Sequence, residues 1–157
     1  MPREHRASDV EVVRDQLGRE PTTRFEVVVR CPVGHPLVIR DDPLDVREEP
    51  FPTTFWLTCP HLVAAVSRLE AAGGVERWST AAREDDVLGR SLERANDEQR
   101  SLRPELDLGV GGARRGAGSL KCLHAHVAFA LARPRYELGE RILDELRPLW
   151  PDVCCTP

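Results

Sequence analysis

The sequence predicts an α+β fold, with a small mixed or antiparallel sheet of about three strands packed by four to five helices. Two observations predict it. Short runs rich in β-branched and aromatic residues lie before residue 60, and segments with helical periodicity and capping signals make up most of the rest. A length of 157 residues suits one domain. We expect that domain to span residues 1–157, with a core of about 9–147 and flexible termini.

The first predicted elements are a short helix and three strands. Ser8 stands three residues before Glu11, which is the spacing of a capping box, and Gly18 ends the segment. The three strands that follow are predicted over residues 25–31, 37–40 and 53–58. Turn residues separate the first two, which favours a hairpin-like pair.

Helical signals dominate the rest of the chain. Pro60 occupies the favoured first position of a helix that Gly73 ends. The charged segment of residues 80–102 has only a thin apolar stripe, which predicts a largely solvated helix that can hold a protein partner. The remaining helices are an alanine-rich one and an amphipathic one, over residues 120–132 and 138–146.

Composition and the distribution of apolar residues argue against several classes of protein. The net charge of −4 and the 5% of aromatic residues argue against nucleic-acid binding. No apolar run reaches the ~20 residues that a membrane helix needs. The polar amino terminus lacks an apolar signal region, so we expect a cytoplasmic protein. In that reducing compartment, the five cysteines are expected to be thiols or metal ligands rather than disulfides.

Three dispersed cysteines and one histidine form the first candidate site. Cys31 and Cys59 lie at the ends of predicted strands, and Cys59 also precedes a helix, where backbone donors lower a thiol pKa. Cys122 and His126 are one turn apart if the helix begins at Leu120. Three thiolates and one imidazole suit tetrahedral zinc or an iron–sulfur cluster. The set predicts that the three sulfurs lie within about 4 Å of one another.

Other uses of these residues stay open. His124 falls roughly 160° around the helix from His126, so we expect it to orient a ligand or to transfer protons. There is no Cys-x-x-Cys knuckle, which leaves the alternative of a cofactor-free interaction module with buried cysteines. A third alternative is a thiol-dependent enzyme that uses Cys59 or Cys122 on an anionic substrate. Cys154 and Cys155 can supply a further ligand or remain free thiols.

A glycine-rich loop over residues 109–118 precedes the alanine-rich helix. Its backbone donors, together with Arg114 and Arg115, can bind an anion. The loop lacks the Gly-Lys-Ser/Thr ending of a phosphate-binding loop. A flexible connector is therefore the alternative.

Several strings in the chain are similar to those of one known family. They include Trp-Leu-Thr-Cys-Pro from Trp56 and Lys-Cys-Leu-His-Ala-His from Lys121. The others lie within residues 30–36, 50–53 and 67–70. On these strings, about residues 9–146 resemble the bacterial, mainly actinobacterial, family of unknown function DUF501. The resemblance implies a stand-alone cytosolic bacterial protein and carries no assigned activity.

Overall fold

The computed structural model describes residues 8–150, and it confirms the α+β class. The described elements are α1 (Asp9–Leu17), β1 (Thr23–Arg30), β2 (Pro36–Asp45), β3 (Phe55–Leu57), α2 (Pro60–Ala71), α3 (Gly74–Glu84), α4 (Asp86–Leu102), α5 (Leu123–Ala132) and α6 (Glu137–Leu146). The expectations for the amino terminus and for Cys154 and Cys155 lie outside these residues. Within residues 8–150, every helix is too short or too polar to span a bilayer.

Helix α1 begins with the predicted capping box. The Ser8 amide donates to the Glu11 carboxylate at 3.1 Å, and the Ser8 hydroxyl accepts from the Glu11 amide at 3.4 Å. Gly18 ends the helix in the left-handed conformation, with φ of 69°. Arg30 of β1 donates two hydrogen bonds to the Asp9 carboxylate, at 3.0 and 2.7 Å, and these hold α1 against the sheet.

The three strands form one antiparallel sheet in the order β1-β2-β3. Strand β2 runs to Asp45 and pairs there with Thr23, well beyond the predicted end at residue 40. The sequence after Arg40 is acidic and contains proline, so it has the composition of a turn. Pairing with β1 and burial of Asp41 keep this segment extended.

Helix α5 lies at the centre of the core. It packs against β3 and α6, and most of its residues are buried. The Phe129 ring meets Phe55 of β3 edge-on at 5.6 Å and Tyr136 edge-on at 5.9 Å. Because apolar contacts hold α5 on several sides, the residues at its first turn are fixed relative to the surrounding helices.

The predicted charged helix over residues 80–102 is two helices. Helix α3 already begins at Gly74, and the chain turns at Asp85, whose side chain accepts hydrogen bonds from the amides of Val87 and Leu88. Asp85 is thus the cap of α4 rather than a first-turn residue. The division gives six α-helices among the described residues, one more than the upper predicted number. Binding of a protein partner to this segment stays a prediction.

Candidate metal centre

Helix α5 begins later than the sequence predicts, and the extended segment before it positions the residues of the candidate site. Lys121 adopts the left-handed conformation, with φ of 65°, and Cys122 is extended, with φ of −142°. The Leu120 amide donates to Ser79 Oγ at 3.0 Å, which holds this segment against α3. The helix therefore begins at Leu123 rather than at Leu120. Cys122 does not share a helical face with His126.

Cys122 instead lies beside Glu70 of α2 and His124 of α5. The candidate ligand atoms of these three residues all lie within 4.8 Å of one another. His124 Nδ1 is 3.1 Å from Glu70 Oε1 and 3.8 Å from Cys122 Sγ. Atoms bound to one tetrahedral zinc lie roughly 3.3–3.6 Å apart, given bond lengths of ~2.0–2.3 Å. The two separations from His124 are close to those values, and the ligand atoms of Glu70 and Cys122 lie within 4.8 Å of each other.

Glu70 is held in place by the amino-terminal end of α5. Its Oε1 accepts a hydrogen bond from the Leu123 amide at 2.8 Å. Cys122, which precedes the helix, provides no side-chain cap. The carboxylate from α2 thus satisfies a donor that the first turn of α5 leaves open. This contact places a negative group at the positive end of a helix, where it is stabilised.

The second ring nitrogen of His124 faces acceptors on α2. Nε2 lies 3.2 Å from the Val63 carbonyl oxygen and 3.2 Å from Ser67 Oγ. When Nε2–H donates to the carbonyl, the lone pair of Nδ1 faces Glu70 and Cys122. Histidines that bind metals are commonly oriented in this way by a hydrogen bond from the other nitrogen.

The electrostatics of the cluster favour charge separation. The hydrogen bond to Cys122 is the largest cause that raises the pKa of His124 to about 9; burial opposes it and Glu70 adds to it. Burial raises the pKa of the Cys122 thiol, but the hydrogen bonds from His124 and the Ala125 backbone outweigh it, so this pKa falls below its ordinary value. The hydrogen bond between them therefore favours the charged forms of Cys122 and His124. A bound cation can replace the proton.

Cys31 and Cys59 lie elsewhere in the fold. Cys31 is buried at the turn between β1 and β2, where its amide donates to the His35 carbonyl at 2.9 Å. Cys59 is buried at the start of α2. In the part of the chain that the structure describes, neither thiol belongs to a group of three potential ligands. The structure thus does not bring the predicted four-residue set together, and metal binding by those thiols stays a prediction.

His126 is enclosed by the core. Its Nδ1 lies 2.7 Å from the Tyr136 hydroxyl, and its Nε2 lies 3.2 Å from the Leu120 carbonyl oxygen. Burial lowers the pKa of His126 to about 4, so the ring is neutral at physiological pH. A neutral ring donates through Nε2–H and accepts from the tyrosine. Its hydrogen bonds fasten the first turn of α5 to the residues on either side.

Sequence reasoning missed Glu70. It lies more than 50 positions from Cys122, so no spacing pattern connects the two. The one available signal was the Ser67–Glu70 string, which contributes to the family resemblance. Both Ser67 and Glu70 contact His124 in the structure.

The glycine-rich loop contains a 3₁₀ turn at Val110–Gly112. Arg115 donates to the Asp107 carboxylate at 2.9 and 3.2 Å. Arg114 is exposed, and its side chain forms no hydrogen bond or ion pair with residues 8–150. Both arginines line a cleft on the side of the loop that faces α3 and α4. Anion binding by this pair stays a prediction.

Comparison with known proteins identifies the family. The family model described as "Protein of unknown function (DUF501)" matches residues 27–144, which include Glu70, Cys122 and His124. No curated protein and no solved structure matches the chain significantly. The match covers well over half of the chain, and the chain therefore belongs to the DUF501 family.

Proposed function

We propose that this protein binds a zinc ion through Glu70, Cys122 and His124. The observation that supports the proposal is the convergence of three chemically different ligand atoms within 4.8 Å. Two of them come from the start of α5, and the third comes from α2. Zinc accepts thiolate, imidazole and carboxylate ligands, and this site offers one of each.

The composition of the group favours zinc over an iron–sulfur cluster. Clusters are usually held by several thiolates. Cys122 is the one thiol in the group within residues 8–150. Three protein ligands around zinc leave a fourth position for water or a substrate, which is the arrangement of a catalytic rather than a structural zinc site.

The surrounding contacts support this assignment. The Leu123 amide fixes one oxygen of Glu70, and the Val63 carbonyl together with Ser67 Oγ faces the Nε2 atom of His124. Glu70 and His124 are thus each oriented by a further contact. Such contacts commonly change metal affinity by about 10- to 100-fold when they are removed.

Zinc titration of chelator-treated protein, followed by calorimetry, tests the proposal. We expect one zinc per chain, and we expect Cys122→Ser and His124→Gln each to weaken binding by at least about tenfold, because each removes a ligand. Cys59→Ser is a matched control, since Cys59 also immediately precedes a helix. Unchanged zinc binding in Cys122→Ser would overturn the proposal. Loss of zinc in Cys59→Ser would support the predicted four-residue set instead.

A thiol-dependent enzyme is a second candidate because His124 lowers the pKa of Cys122. In that case Cys122 is the nucleophile and His124 accepts or returns a proton. The two candidates separate in the same titration. Absence of zinc binding together with unusual reactivity of Cys122 toward alkylating reagents would favour the enzyme, which requires no metal.

A further inference from the structure

A cleft of about 540 Å³ lies between α3, α4 and the loop of residues 113–119. Its lining does not include the three proposed zinc ligands. Clefts of this volume commonly bind small organic molecules. The cleft is therefore a second candidate site.

The lining is rich in arginine, although the chain as a whole carries a net charge of −4. The charged residues that line the cleft are Arg83, Arg100, Arg114, Arg115, Glu93 and Asp97. Two further carboxylates, of Glu76 and Asp107, pair with Arg83 and Arg115, so the four guanidinium groups meet four carboxylates and the cleft is formally neutral. A neutral concave surface on an acidic chain repels an anion less than the rest of the surface does.

Two of the four arginines are already held by other groups. Arg83 donates to the Gly118 carbonyl at 2.5 Å, to Thr80 Oγ1 at 3.0 Å and to the Glu76 carboxylate at 3.2 Å, so it holds the loop against α3. Arg115 is paired with Asp107. These two arginines form part of the wall of the cleft, and they already donate hydrogen bonds within the protein.

Arg100 and Arg114 have donors to spare. The Arg100 side chain is only 13% exposed, and within residues 8–150 it makes one hydrogen bond, to Asp97 Oδ1 at 3.1 Å. Its Nε is buried without a hydrogen-bond partner and lies 3.7 Å from an Asp107 oxygen. Arg114 makes no side-chain contact of either kind in that range. Arg100 Nη2 also makes no hydrogen bond in that range and, unlike Nε, is not fully enclosed, so it can donate to an acceptor in the cleft.

The remaining lining is partly apolar. Leu92 of α4 and Leu120 ahead of α5 contribute side chains to it. We propose that the cleft binds a small organic anion, with its phosphate or carboxylate oxygens on Arg100 and Arg114 and its carbon body against Leu92 and Leu120. The sequence predicted that Arg114 and Arg115 bind the anion together. Arg100 replaces Arg115 in this proposal, because the Arg115 guanidinium already donates to the Asp107 carboxylate.

Calorimetry of the full chain with phenyl phosphate, benzoate, inorganic phosphate and benzyl alcohol tests the proposal. Phenyl phosphate or benzoate should bind in a saturable way at one site, and whichever binds tighter identifies the anionic group. Inorganic phosphate and benzyl alcohol should bind at least about tenfold more weakly, because each lacks half of the recognised chemistry. Arg114→Gln should weaken binding of the tighter anion by about tenfold.

Arg90→Gln is the matched control, because Arg90 is an exposed arginine of α4 outside the cleft. Binding should be unchanged in Arg90→Gln and in chelator-treated protein, so failure here is separable from failure of the zinc proposal. Absence of saturable binding by both aromatic anions would overturn the inference. Equal weakening by Arg114→Gln and Arg90→Gln would also overturn it, because it would show attraction by overall charge alone.

Discussion

Asp41 offers a sharp test of the electrostatics of the fold. It lies on β2 with 5% of its surface exposed, and its carboxylate accepts a hydrogen bond from Thr23 Oγ1 at 2.5 Å. Burial is the main cause that raises the pKa of Asp41 to about 6; the hydrogen bond from Thr23 and the charge of Arg103 oppose it. Replacement by asparagine keeps an acceptor for Thr23 and removes the charge.

The magnitude follows from the pKa difference. The pKa rises from 3.8 to about 6 on folding, and each unit corresponds to ~1.4 kcal/mol, so the effect is about 3 kcal/mol. Between pH 4 and 6 the folded state binds more protons than the unfolded state. The contribution of Asp41 to the free energy of unfolding therefore falls as pH rises through that window. Above it, this contribution no longer changes with pH. Asp41→Asn should lose this slope.

Urea unfolding of wild-type protein and Asp41→Asn across that range is the assay. The difference in free energy of unfolding should grow from near zero at about pH 4 to as much as about 3 kcal/mol in favour of Asp41→Asn above pH 6.5. Asp15→Asn is the control, because Asp15 is exposed and is not among the groups that shift the pKa of Asp41. It should leave the slope of the wild-type protein intact and so give a flat difference. A flat difference for Asp41→Asn as well would refute the reasoning.

Three further predictions concern the site and the core. Zinc should slow alkylation of Cys122 by iodoacetamide, measured by mass spectrometry, because the ion binds the same sulfur lone pairs; an equal rate with and without zinc would contradict this. Glu70→Gln should weaken zinc binding in calorimetry yet change the free energy of unfolding by less than about 1 kcal/mol, because the amide still accepts from Leu123, whereas Glu70→Ala should cost more. Gly139→Ala should lower the free energy of unfolding by about 1–3 kcal/mol, since the new methyl group would lie 2.6 Å from Ala130 Cβ; unchanged denaturant stability would show that the helices can separate freely.

The fold class was predictable because its signals are local. The capping box at Ser8, the proline at the start of α2 and the runs of β-branched residues each specify their own element. The break at Asp85 was harder to recognise. An aspartate among other acidic residues is favoured both in the first turn of a helix and at its cap. The two are distinguished by the backbone conformation, which is extended at Asp85.

The candidate site was predictable only in part. Cys122 and His124 were both singled out, but their roles depended on where α5 begins. That start is set by tertiary contacts, among them the hydrogen bond from Leu120 to Ser79, which no local pattern reveals. Glu70 comes from a distant helix and had the character of a solvated surface residue.

The absorption spectrum of the cobalt-substituted protein tests the central claim most directly, because a thiolate bound to cobalt gives a charge-transfer band that oxygen and nitrogen ligands do not. One equivalent of cobalt added to chelator-treated wild-type protein should produce this band, and one equivalent of zinc should abolish it. The band should be absent in Cys122→Ser and retained in Cys59→Ser. A band that persists in Cys122→Ser, or no band in the wild-type protein, would contradict the proposed zinc site.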